Sequence, residues 1–254
     1  MWYDSAAVTD PPVPSEPYRH VREPRPDLFP TSEEMPETKR HLALRTALFQ
    51  SLEAAFADRA AIGSEQFVYW DPTDPRKCCA PDVMLRLGMP DLSFDNWKVW
   101  EWGAPQLCIE VISKSDFDKG PWGEKLARYA SMGVEELVRF DADDPDMPFT
   151  LWDRREFELV ERDRSLPDYA RCRTLDLHYC VTPDKTLVRM LRFARDAEGT
   201  DLLLTPQEER RRADDARRAA DDARRVAEDA RRAAEARVRE LEAELASRAA
   251  DQPR

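Results

Sequence analysis

Gln106-Leu107-Cys108-Ile109-Glu110-Val111-Ile112 is the most apolar stretch of the chain, and a single carboxylate interrupts it. A short apolar run without polar alternation reads as a central strand buried on both faces. Glu110 inside such a strand is costly to bury unpaired; it needs a partner, and a metal ion is one.

Working toward the N-terminus, Pro81 to Leu87 reads as a second strand opened by Asp82, and the tryptophans Trp97, Trp100 and Trp102 lead from it into the central one. Glu65 to Trp70 alternates apolar and polar residues before the turn-rich Asp71-Pro72-Thr73-Asp74-Pro75, the pattern of a strand entering a loop. From Glu37 to Arg59, Leu42, Leu44, Leu48, Leu52, Ala55 and Phe56 recur at helical spacing, which predicts an amphipathic helix. Residues 1–36 are dense in proline and read as an extended arm.

Toward the C-terminus, Leu126, Tyr129 and Ala130 predict a helix over Trp122–Met132, with Gly133 where its end needs positive φ. Val134 to Phe140 reads as another buried strand, followed by an acidic turn and a hairpin or meander through Thr150–Trp152 and Phe157–Val160. Helix, strands, helix, strands is the order of an α/β domain, assigned to residues 37–204.

Beyond Pro206 the composition shifts to Ala, Arg, Asp and Glu without Gly or an interior Pro until the last residues, which predicts a long helix from about Thr205 to about Ala249 within a charged segment, 205–254. Ala216, Ala223 and Ala230 repeat every seven residues, with Val238, Leu241 and Leu245 continuing the stripe. An alanine seam buries little apolar area, so a solvated single helix and a coiled coil that pairs with a second copy or another protein both stay open.

The 254 residues carry a net charge of −12, which argues against broad electrostatic coating of nucleic acid. It does not exclude a nuclease, because a carboxylate cluster holding a divalent ion is itself acidic. No apolar run is long enough to span a bilayer, and the first residues lack the basic-then-apolar pattern of a signal peptide, so a cytoplasmic protein with no membrane partner is expected. Five cysteines without paired Cys-x-x-Cys spacing argue for reduced thiols rather than a disulfide framework or a zinc site. His20, His41 and His178 stand in unlike contexts and make no metal or triad case, and seven glycines give no phosphate loop. The tryptophans at 97, 100 and 102 fit core contacts better than base stacking.

Asp82 and Glu110 on adjacent strands, followed by Lys114, Lys119 and Lys125, form the set that metal-dependent phosphodiester hydrolysis uses. Two acids hold a divalent ion, and a lysine orients the water or stabilises charge on the phosphate.

Three strings in order, Ala80-Pro81-Asp82-Val83-Met84, Cys108-Ile109-Glu110-Val111-Ile112-Ser113-Lys114-Ser115 and Gly123-Glu124-Lys125-Leu126-Ala127-Arg128-Tyr129-Ala130-Ser131-Met132-Gly133-Val134, resemble the Uma-two family of restriction endonucleases, within the PD-(D/E)XK nuclease superfamily. The likeness runs from about Lys39 to Phe140. It implies a restriction-endonuclease-like mixed central sheet flanked by helices, with Mg²⁺, or Mn²⁺ in its place, at a site that cuts DNA. Asp82 matches the family's Pro-Asp motif and Glu110 its Glu-Val-x-Ser motif. The superfamily's lysine two positions later would fall on Ile112; Lys125 matches the helical lysine that stands in for it in this family, and Lys114 competes. Glu65 sits where family members often carry a glutamate, which would complete the metal shell; read by itself it is an exposed strand residue. The alternative is a non-catalytic binding or scaffold protein that keeps the fold and associates through its C-terminal helix.

Overall fold

A computed structural model describes residues 38–112, 122–164 and 166–250, with side chains through residue 244. The proline-dense arm, Lys114 and Lys119 lie outside the described residues.

Thr38 opens helix α1 (Lys39–Phe56): its hydroxyl accepts the His41 backbone N–H at 3.1 Å, satisfying an amide that the first turn leaves open. Leu44, Leu48, Leu52 and Phe56 recur at intervals of four and are buried, so one stripe of the helix lies against a sheet. Leu42, two positions off that stripe and therefore on the opposite face, is 45% exposed.

The chain then forms β1 (Ala60–Gly63), β2 (Phe67–Tyr69), β3 (Cys78–Cys79), β4 (Val83–Leu87), β5 (Asn96–Lys98), the one-turn helix α2 (Val99–Trp102) and β6 (Leu107–Val111). Helix α3 (Trp122–Met132), β7 (Glu136–Phe140), β8 (Phe149–Arg155), β9 (Glu158–Glu161), β10 (Tyr169–Cys172), β11 (Leu177–Asp184), β12 (Val188–Ala194) and helix α4 (Pro206–Ala250) follow. A six-stranded mixed sheet runs in the order β1-β4-β6-β7-β8-β9. Only β6 and β7 are parallel within it, and parallel neighbours need a crossover, which α3 supplies. Every residue of β6 is buried, as its unbroken apolar run requires.

The sheet packs on both faces. Val83, Leu85, Leu107, Ile109 and Val111 meet α1 and the antiparallel sheet β10-β11-β12, through Tyr179, Leu191 and Phe193. Met84, Cys108 and Leu137 point the other way, toward Tyr129 and Met132 of α3 and toward Val68 and Trp97 of the small sheet β3-β2-β5. Trp97 is fully buried and its indole N–H donates to the Gly103 carbonyl at 2.8 Å, which makes it a core residue.

Two differences from the sequence reading bear on the site. The strand expected from Glu65 begins at Phe67; Glu65 lies in the bend after β1, at φ 67°, with its N–H donating to the Pro81 carbonyl. The second difference is the β10–β12 sheet, which the sequence reading did not resolve. Helix α4 starts with a reciprocal cap, Thr205 N–H donating to Glu208 Oε2 at 2.8 Å and Glu208 N–H to Thr205 Oγ at 3.3 Å. Arg192, buried in β12, binds both Glu208 oxygens at 2.9 Å and ties the first turn to the body of the protein. From Glu209 to Glu244 every residue of the helix is exposed.

Candidate functional site

β4 and β6 pair antiparallel with Val83 opposite Ile109. One step further along that register sets Asp82 opposite Glu110, and opposed residues of an antiparallel pair share a face with their Cβ atoms roughly 5 Å apart. The carboxylates therefore meet at the end of the central strand. Both are buried, at 7% and 3% exposure, in a protein whose other acids are mostly solvated.

The Val111 N–H donates to Asp82 Oδ2 at 2.7 Å, which locks Asp82 to the strand carrying Glu110. His41 approaches from the first turn of α1: its Nε2 lies 2.8 Å from the Val111 carbonyl oxygen and 3.3 Å from the Asp82 carboxylate. A carbonyl only accepts, so Nε2 carries the proton and the imidazole donates toward both oxygens.

Glu110 is held from α3. Lys125 and Tyr129 are four residues apart and so face the same side of the helix. Lys125 Nζ donates to Glu110 Oε2 at 2.7 Å, and the Tyr129 hydroxyl donates to Oε1. Burial pushes the Glu110 carboxyl up to about 7; the Asp82 charge adds to the rise, while Lys125 and Tyr129 oppose it. Burial and the same glutamate push the neighbouring Cys79 thiol up to about 12, so it stays protonated at neutral pH and is no nucleophile.

These residues fit a divalent cation. Two hard oxygen donors are buried side by side; burial, with the Asp82 charge adding to it, drives Glu110 toward protonation, a penalty that a cation between them would remove. Among the described residues no three His, Cys, Asp or Glu side chains form a metal-binding group. A two-carboxylate set suits a hard divalent cation that keeps several of its waters.

The structure thus brings Asp82, Glu110 and Lys125 together. Glu65 is not part of the group: its side chain is 46% exposed and pairs with Arg45 at 3.3 Å. Lys114 lies outside the described residues. Sequence reasoning missed His41 and Tyr129. Tyr129 carried a signal, being one helical turn beyond Lys125. His41 carried none, because its partners lie 41 and 70 residues away.

Residues 31–190 match the protein family Uma2, described as "Putative restriction endonuclease". A solved structure from Anabaena variabilis, described as a "putative nuclease belonging to DUF820", is 14% identical over 61% of this chain and 76% of its own, with a TM-score of 0.37. No curated protein matches the chain.

Proposed function

Because the chain belongs to the Uma2 restriction-endonuclease family, we propose that it is a metal-dependent DNA endonuclease in which Asp82 and Glu110 hold Mg²⁺ and Lys125 assists hydrolysis. The observation that carries this reading is the buried Asp82–Glu110 pair with an ammonium bound to one member. A divalent ion held by Asp82 and Glu110 would lower the pKa of a water molecule and offset charge on the scissile phosphate, and Mn²⁺ would serve in place of Mg²⁺.

The protein's own groups prepare that chemistry. The Val111 N–H and the His41 imidazole hold Asp82 in one orientation, and Tyr129 does the same for Glu110. Oriented ligands need no reorganisation when the substrate arrives. Lys125 favours the ionised form of Glu110 against the burial that raises its carboxyl, and places a positive charge where the phosphate collects negative charge. Lys125 is assigned this role because its contact with Glu110 is direct; Lys114 lies outside the described residues. The reading needs no ligand from Glu65.

Incubating an end-labelled duplex with the purified protein in Mg²⁺, Mn²⁺ or EDTA tests the proposal. Shortened products in either metal and none in EDTA are expected; intact duplex under all three conditions contradicts it.

A non-catalytic scaffold would also use the exposed length of α4, which suits association with a second copy or another protein. That role is compatible with the nuclease reading, since it engages no residue of the site.

A further inference from the structure

Arg139 is a half-buried guanidinium, 27% exposed, that makes no hydrogen bond among the described residues. Its nearest carboxylate, Asp141, stands 3.8 Å away, beyond hydrogen-bond reach. Two arginines held deeper in the fold are hydrogen-bonded: Arg162 binds Glu136 and Asp153, and Arg192 binds Glu208 and the Leu203 carbonyl. Five N–H donors left unused on a partly sheltered arginine are a structural expense with no internal return.

Its position gives the reason. In the parallel β6–β7 ladder Arg139 is the register partner of Glu110, so the two side chains leave the sheet on the same face, one strand apart. That face is covered by α3, whose first residue, Trp122, has two cations at its ring: the Arg139 guanidinium is 5.5 Å from the indole ring centre and the Lys125 ammonium 5.7 Å. Packing against the ring fixes the guanidinium plane while leaving its edge donors open. The Trp122 indole N–H is itself buried and donates to nothing among the described residues. The corner beside the two carboxylates therefore carries a guanidinium and an indole N–H that make no hydrogen bond among the described residues, with Asp141 and Asp144 the acids on the far side of the guanidinium.

We infer that Arg139 is a phosphate-binding residue of the nuclease site, gripping a backbone phosphate of the DNA strand beside the one held at Asp82 and Glu110. The inference rests on the nuclease reading above and adds the contact that positions the substrate. Its guanidinium offers two parallel donors to a phosphodiester, a geometry that an ammonium cannot copy. In a chain of net charge −12, binding to a polyanion depends on such local cations rather than on the overall field.

The test uses the full-length protein, a fluorescein-labelled duplex of about 20 base pairs, Ca²⁺ in place of Mg²⁺ for binding, and Mg²⁺ for cleavage. Arg139→Ala is expected to weaken binding about tenfold and to lower the slope of log K against log salt by about one phosphate's share. Arg139→Lys should restore the slope but not the full affinity. In cleavage the alanine variant should raise KM more than it lowers kcat. Wild-type protein that binds and cuts DNA while Arg139→Ala keeps its affinity and slope overturns the inference and leaves the nuclease reading intact. Wild-type protein that neither binds nor cuts DNA in any metal overturns both. Should the alanine variant melt early for want of packing, Arg139→Gln, which keeps the stem against Trp122, is judged by the same two readouts.

Discussion

Glu110 and Glu136 are both buried acids on adjacent strands, and their surroundings separate a site from a structural ion network. Glu136 accepts from Arg162, from the backbone of Arg173 and Thr174 and from the Thr174 hydroxyl, so its charge is fully met. Glu110 has one ammonium and one phenol, with Asp82 pushing against it. The consequence is a pH dependence with a definite sign. Its carboxyl titrates near 7 in the folded chain against 4.5 unperturbed, so the native state keeps a proton that the unfolded state releases. The stability this contributes is complete below the unperturbed value and is lost as pH rises through about 7, a change of at most about 3 kcal/mol. Metal-free wild type should therefore lose Tm between pH 5 and 8, by about that free energy, relative to Glu110→Gln, and saturating Mg²⁺ should recover it at the upper end. Parallel Tm profiles for the two proteins would contradict the assignment. His41→Ala removes one of the two groups that hold Asp82 and leaves the Val111 N–H; we expect Mn²⁺ affinity to fall about tenfold in calorimetric titration. Of the candidate site, Glu110 was legible because it is the one acid of a strand apolar enough to be central, and Asp82 because it opens the strand before; Lys125 came with Lys114 and Lys119, and only the family resemblance pointed to its place on the helix. His41 was not legible, since an imidazole acquires its role only when α1 crosses the end of β6.

At the scale of elements, the parts that could be read were those with a long uniform period. α3 spans Trp122–Met132 as its stripe and terminal glycine imply, and β6 and β7 coincide with the two apolar runs. β1 was lost because Ala60-Ala61-Ile62-Gly63 is too short and too alanine-rich to differ from the end of a helix. The alternation from Glu65 began two residues too early, since Glu65 adopts a left-handed bend and its side chain turns to Arg45. The β10–β12 sheet escaped because arginines and acids punctuate strands whose apolar residues face a single side. Gly133 gives the element-scale prediction. It ends α3 at φ 97°, and an added Cβ would lie 3.1 Å from the Ala104 Cβ, so Gly133→Ala should cost about 1–2 kcal/mol in urea unfolding. Because α3 carries both Lys125 and Tyr129, the same variant should also lose activity; unchanged stability would show that the backbone relaxes there.

For the whole molecule, charge and attachment are divided unevenly. α4 holds twelve acidic and twelve basic residues, so the net −12 resides in the rest of the chain. Pairs such as Arg224–Glu228 at 2.9 Å and Arg231–Glu235 at 3.3 Å join successive turns, each adding a few tenths of a kcal/mol, so the helix persists without a core. We propose that residues 37–204 fold as one unit and that α4 is separable beyond its first turn. Truncation after Arg212 should leave Tm unchanged, whereas truncation after Thr205 removes Glu208 from the buried Arg192 and should cost about 2 kcal/mol. Equal losses from both would mean that the exposed helix supports the core. Light scattering of the shorter chain tests association: a fall in oligomeric size assigns that role to α4. The described residues include no helix long and apolar enough to cross a membrane.

We propose that the buried acid pair at the end of β6 cuts DNA with a divalent ion. Nicking of supercoiled plasmid by wild type, Asp82→Asn and Glu110→Gln, purified identically and assayed with Mg²⁺, Mn²⁺ and EDTA, addresses it most directly. Metal-dependent nicking by wild type that falls at least about a hundredfold in both variants is the predicted result. Nicking that survives in the variants, or its absence from wild type in both metals, would contradict it.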